Sequence, residues 1–158
     1  MNWLEVCEHP ALQDLPFKIE LDETGKIVMA PTKVYHSIYQ GEIAYRLRTL
    51  SPTGKAFVEC AIATRKGTKV ADVVWASPER LATIWPEVEC SVAPELCVEV
   101  LSSTNTGKEM RAKRQLYFEK GALEVWLCDA DGHLTFFDPH GLLEKSVLFP
   151  DFPTQIEL

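Results

Sequence analysis

Two short alternating segments around Asp22-Glu23-Thr24-Gly25, in "FKIELDETGKIVMAP", predict a β-hairpin that extends or covers an edge of a larger sheet. The next stretch, "TKVYHSIYQGEIAYRLRTL", places His36, Gln40, Ile43, Leu47 and Leu50 at helical spacing, one stripe of an amphipathic helix ended by Ser51-Pro52-Thr53-Gly54. Alternation returns in strands from Ala56 to Thr64 and from Lys69 to Trp75, joined through Lys66-Gly67-Thr68. Ser77 as N-cap and Pro78 as first helical residue start a short helix, and "WPEVECSVA" reads as a loop. A strand from about Glu95 to Leu101 then leads through "SSTNTG" to a helix that opens on the capping box Thr106-Gly107-Lys108-Glu109 and ends at Gly121. The strand "ALEVWLCD" and a hairpin-like "GHLTFFDPHG" follow. This order predicts an α/β fold, a mixed sheet flanked by helices.

Three polar residues break the apolar pattern. Asp72 lies on the strand face of Val70 and Val74, and Glu99 shares its face with Cys97 and Leu101. A carboxylate buried there costs on the order of several kcal/mol unless it is paired or binds a cation. On a helical wheel Lys113 falls among Met110, Leu116 and Tyr117, inside the stripe that faces the sheet. Because this helix follows the Glu99 strand directly, the long lysine stem can bring its ammonium to that carboxylate. Two acids on neighbouring strand ends suit Mg²⁺, with Mn²⁺ as a substitute, and a lysine beside them can activate water or stabilise charge on a phosphoryl oxygen. Each position also has a plainer reading: an edge acid facing solvent, a snorkelling lysine, or a Glu99–Lys113 ion pair that only holds the fold.

Composition narrows the field. The chain of 158 residues, 46% hydrophobic and 25% charged, suits a single domain over residues 1–158. It shows no apolar run of membrane-spanning length, and "MNWLEVCEHPALQD" lacks the build of a secretion signal, so a cytoplasmic protein is expected. The five cysteines include no C-x-x-C pair, and several lie inside apolar runs and read as reduced, buried hydrophobes; the four histidines show no zinc-ligand spacing. A net charge of −7 disfavours a nonspecific nucleic-acid binder, so contact with phosphate needs a local basic patch. The candidates are "RKGTK" (Arg65 to Lys69) and "KEMRAKR", with Lys108, Arg111, Lys113 and Arg114.

The β, β, α order of Asp72, Glu99 and Lys113 resembles the restriction-endonuclease-like superfamily, with its PD…(D/E)xK signature. The blocks "GKIVMAPTKVYHSIYQGEI", "KVADVVWASPERL" and "PELCVEVLSSTNTGKEMRAKRQLYFEKGALEVWLCD" are similar to the Uma-type family of that superfamily, from about Ile19 to Pro139. The resemblance implies a restriction-endonuclease-like core and a Mg²⁺-dependent endonuclease acting on DNA, branched DNA or another nucleic acid. It also implies Asp72 and Glu99 as metal ligands, the Val100 carbonyl as a third, Lys113 as the catalytic lysine supplied from the following helix, and a homodimer. Ala71 stands where the signature has Pro, and Leu101 where it has Lys. Lys108 is the weaker substitute for Lys113. His36 and Gln40 are candidates to border the pocket, His36 reading first as a satisfied core histidine, and Glu59 is a candidate accessory acid. The alternative from another class is a catalytically silent member that serves as a binding or assembly module.

Overall fold

The computed structural model describes residues 1–158. It opens on helix α1 (Trp3–Glu8), which the hydrophobic pattern does not announce: only Val6 is buried, and reciprocal hydrogen bonds between Asn2 and Glu5 close its first turn. A 3-10 turn at Pro10–Leu12 leads to the hairpin of β1 (Phe17–Leu21) and β2 (Ile27–Pro31), paired from Phe17–Pro31 to Leu21–Ile27. This hairpin forms a two-stranded sheet of its own rather than adding a strand to the main one.

The main sheet has six strands in chain order: β3 (Lys55–Thr64), β4 (Gly67–Ala76), β5 (Leu96–Val100), β6 (Glu124–Cys128), β7 (Leu134–Asp138) and β8 (Gly141–Leu143). Every neighbouring pair is antiparallel except β5–β6, whose parallel pairing requires the crossover made by helix α4 (Gly107–Glu119). Helix α2 (Val34–Leu50) precedes the sheet and the short α3 (Pro78–Ile84) follows β4, with Ser77 capping as its sequence predicts. The mixed sheet flanked by helices is the expected architecture.

The alternating side chains of the central strands build two cores. Val98 of β5 packs with Ile43 and Leu47 of α2, with Trp126 and with Phe136. Cys97, pointing the other way, packs with Val74, Val125 and Tyr117 of α4. On α2 the buried stripe is His36, Tyr39, Ile43, Ala44 and Leu47; Gln40 is only half-buried, and Leu50 is exposed at the end of the last turn.

The segment after β8 completes the first core with Phe149, Phe152 and Ile156. It is latched by Glu124, 2% exposed, which accepts hydrogen bonds from Trp126 Nε1 (2.9 Å), Ser146 Oγ (2.6 Å) and the amides of Val147 (2.9 Å) and Leu148 (2.8 Å). This acid is satisfied four times over by the fold itself. Glu124→Ala is expected to lower the unfolding free energy by roughly 3 kcal/mol or more, since a buried donor left without a partner costs about 1–3 kcal/mol. Urea denaturation measures it, and a loss below about 1 kcal/mol would show that the latch does not hold the tail.

Candidate active site

The strand pairing that places the two acids ends where they begin. The β4–β5 ladder runs from Trp75–Leu96 to Val73–Val98 and stops there. Beyond it the Val100 amide donates to Asp72 Oδ2 at 2.8 Å, so a side chain takes over from the backbone and the strands part around a carboxylate. Asp72 is 2% and Glu99 3% exposed, each on its own strand.

Cationic side chains come from two other elements. Lys113 of α4 reaches Glu99 Oε1 at 3.1 Å and Glu20 Oε2 at 2.8 Å. The helical wheel expects this, because Met110, Leu116 and Tyr117 are the buried residues of α4 and Lys113 lies among them. Lys18 of β1 bridges the two core acids, with Nζ 3.1 Å from both Asp72 Oδ1 and Glu99 Oε2. The Tyr117 hydroxyl donates to Glu99 Oε1 at 2.6 Å, and Glu20 also accepts from the Val70 amide at 2.7 Å. Three carboxylates thus face two ammoniums, and the buried group carries one formal negative charge.

Charge and burial oppose each other at Glu99, Asp72 and Lys18. Burial pushes the Glu99 carboxyl up, and the neighbouring charges of Asp72 and Glu20 add to that push, so it stays above the ordinary glutamate range despite Lys113 and Lys18. Burial also acts upward on Asp72, but its bond to His36 and the Lys18 charge outweigh it and hold Asp72 well below the ordinary range. At Lys18 desolvation favours the neutral amine. The charges of Glu99, Asp72 and Glu20 overcome it and hold the amine protonated more firmly than in an ordinary lysine.

These residues line one cleft of about 600 Å³. Asp72, Glu99 and Lys113, singled out from sequence, meet there. Lys66 and Lys69 line the same cleft, so the two basic runs seen in sequence both supply lysines to it, Lys66, Lys69 and Lys113, among the carboxylates of Glu20, Glu23, Asp72, Glu99 and Glu109. Arg65 instead pairs with Glu119 at 3.2 Å, and Arg114 stacks on Phe137 at 3.8 Å. Lys108 is exposed and outside the cleft, which leaves Lys113 as the helix lysine at the acids. Leu101, at the position of the signature lysine, accepts the Tyr35 hydroxyl on its carbonyl.

His36 borders the cleft and Gln40 does not. His36 Nε2 lies 3.3 Å from Asp72 Oδ2, while its buried Nδ1 has no hydrogen-bond partner, so the fold satisfies only half of this histidine. Glu59 belongs elsewhere. It has a left-handed backbone with φ of 55° and faces a second cavity of about 980 Å³, with Phe57, Trp85, Cys60 and Cys90 in its wall. Four cysteines are buried and free as expected, whereas Cys7 is exposed.

Sequence reasoning misses Lys18 and Glu20. In "FKIEL" they alternate with Phe17, Ile19 and Leu21, which reads as the wet face of a hairpin. The signal that could have found them is electrostatic, since two buried acids against one helix lysine leave a charge without a partner.

A family model described as "Uma2: Putative restriction endonuclease" matches residues 7–151. The chain belongs to the Uma2 family. Among curated proteins, none matches. The fold is similar to the crystal structure of a "putative nuclease belonging to DUF820" from Anabaena variabilis, with a TM-score of 0.68 and 19% identity over 85% of this chain and 79% of that one. A nuclease family implies a nucleic-acid substrate, and restriction-endonuclease-like nucleases normally use a divalent metal ion.

The Uma2 cleft passes a test of fit to such an ion. Each core acid commits one oxygen to a backbone amide or a tyrosine and turns the other toward a shared cation, the Lys18 ammonium. A cationic group is thus already accommodated between the two carboxylates. A different group, Asp129, Asp131 and His133, brings its ligand atoms within 4.8 Å of one another, but Asp129 Oδ1 already caps its turn by accepting the Asp131 and His133 amides. No helix is long and apolar enough to cross a membrane.

Proposed function

We propose that this Uma2 protein is a metal-dependent endonuclease that hydrolyses DNA phosphodiester bonds, with Mg²⁺, or Mn²⁺ in its place, held by Asp72 and Glu99. The supporting observation is the convergence, in one cleft, of these two buried acids and Lys113. When bound, the ion supplies Lewis-acid polarisation of the phosphoryl group and a more acidic water.

The chain's own residues do the rest. Asp72 is fixed by the Val100 amide and His36, and Glu99 by Tyr117 and Lys113, so each presents one oriented oxygen to the cation position. Lys113, held between Glu20 and Glu99, positions the attacking water or stabilises charge on the phosphoryl oxygens. Lys66 and Lys69 meet the phosphate backbone at the cleft's rim. In this reading residues 1–158 form one catalytic domain acting in the cytoplasm as a homodimer, since cutting both strands of a duplex calls for two sites.

Purified protein is expected to cleave supercoiled or branched DNA with Mg²⁺ or Mn²⁺ and to be inert in EDTA. A second reading, a catalytically silent binding or assembly module, is favoured by one observation: Lys18 already bridges both core acids. Absence of cleavage together with absence of metal binding by calorimetry would select it.

A further inference from the structure

Lys18 occupies the place between Asp72 Oδ1 and Glu99 Oε2 where a metal ion would make its shortest contacts, so the two cannot be there together. What holds Lys18 there is a hairpin with little apolar anchorage. Leu21 is buried and Ile19 and Ile27 are half-buried, but Val28 and Met29 of β2 are about half-exposed, at 47% and 42%. The polar ties to the body are Glu20 to the Val70 amide and Lys113, Lys18 to the core acids, and Lys69 Nζ to the Leu21 carbonyl at 3.1 Å. An isolated two-stranded hairpin is marginal in water, so the arm that carries Lys18 can shift without opening either core. Charge points the same way, because three carboxylates and Lys113 leave two formal negative charges once Lys18 withdraws, the complement of one divalent cation.

We propose that Lys18 is a tethered counter-ion that guards the cation position: it bridges Asp72 and Glu99 in the metal-free protein and withdraws into the cleft when a divalent ion binds. This inference rests on the metal-dependent reading above. The withdrawal is a cost charged against metal affinity, and the freed ammonium then lies in the cleft that would receive phosphate.

Two measurements test it. Calorimetric titration of MnCl₂ into the wild-type chain and Lys18→Met is expected to show about tenfold or more tighter binding by the variant, the factor set by a metal-ready state populated at about 10% or less. Metal-free Lys18→Met is also expected to melt below wild type and to close that gap in Mn²⁺. Equal affinities would overturn the guarding role while leaving the metal site standing, and no binding by either chain would overturn both. The second measurement needs no variant. Amine labelling of the folded wild-type protein, read by mass spectrometry, is expected to modify Lys18 several-fold faster with Mn²⁺ than with EDTA, lysines outside the cleft serving as controls. Unchanged labelling in a protein that calorimetry shows to be loaded would overturn the proposal.

Discussion

Glu99→Gln is expected to abolish metal-dependent cleavage while leaving the fold as stable as wild type, or more so. Loss of one ligand that stabilises developing charge lowers turnover by roughly 10²–10³-fold. Stability follows a different rule. Burial raises the Glu99 pKa, so its contribution is fully present below the ordinary glutamate range, where the group is protonated in both states, and is lost as pH rises through the raised folded value. At neutral pH the ionised form is carried at a cost, and glutamine removes it. The substitution also leaves Asp72 and Glu20 facing Lys18 and Lys113, a balanced set. Thermal melts of both chains across pH check this: wild type should fall behind Glu99→Gln as pH rises above the ordinary glutamate range. Cleavage by Glu99→Gln at the wild-type rate would remove the assigned role. Asp72 is the poorer probe, because its pKa is depressed and its ionised form supports the Val100 amide, Lys18 and His36; its loss confounds activity with folding.

Lys113→Met is the second substitution with a large expected effect. It keeps the aliphatic stem among Met110, Leu116 and Tyr117 and deletes the ammonium, so Glu20 and Glu99 lose their shared partner. Removing one member of a buried charge pair costs about 3–5 kcal/mol, and removing a positioned proton donor or acceptor costs about 10²–10⁴-fold in rate. The two losses separate by assaying at saturating Mg²⁺ well below the melting temperature, with folded protein verified by circular dichroism. A folded Lys113→Met that binds Mn²⁺ as wild type but fails to cleave would support a role in the chemical step. Full activity would reduce Lys113 to a structural ion pair.

Much of this arrangement is legible in the sequence, and what is legible has a common cause. Asp72, Glu99 and Lys113 each interrupt a periodic apolar pattern, and periodicity is a local property of the chain. Capping at Ser77 and Thr106 is local too, and both helices start where those residues predict. Lys18 and Glu20 obey the alternation of their strand and are therefore silent; only the tertiary placement of the hairpin turns that polar face onto the acids. Glu124 is silent for the converse reason. It opens a strand, where an acid commonly faces water, and its four donors come from Trp126 and a segment about twenty residues further on. Glu59 misleads, because its place on the strand beside Asp72 suggests proximity while its left-handed backbone departs from regular strand geometry.

The latch at Glu124 bears on how the protein can be handled. Phe149, Phe152 and Ile156 are bricks of the first core and not an appendage to it, although the family match ends at residue 151 and the sequence blocks that resemble the family end near Pro139. A shortened version ending at that boundary would keep every side chain of the cleft and yet lack part of the wall behind Trp126.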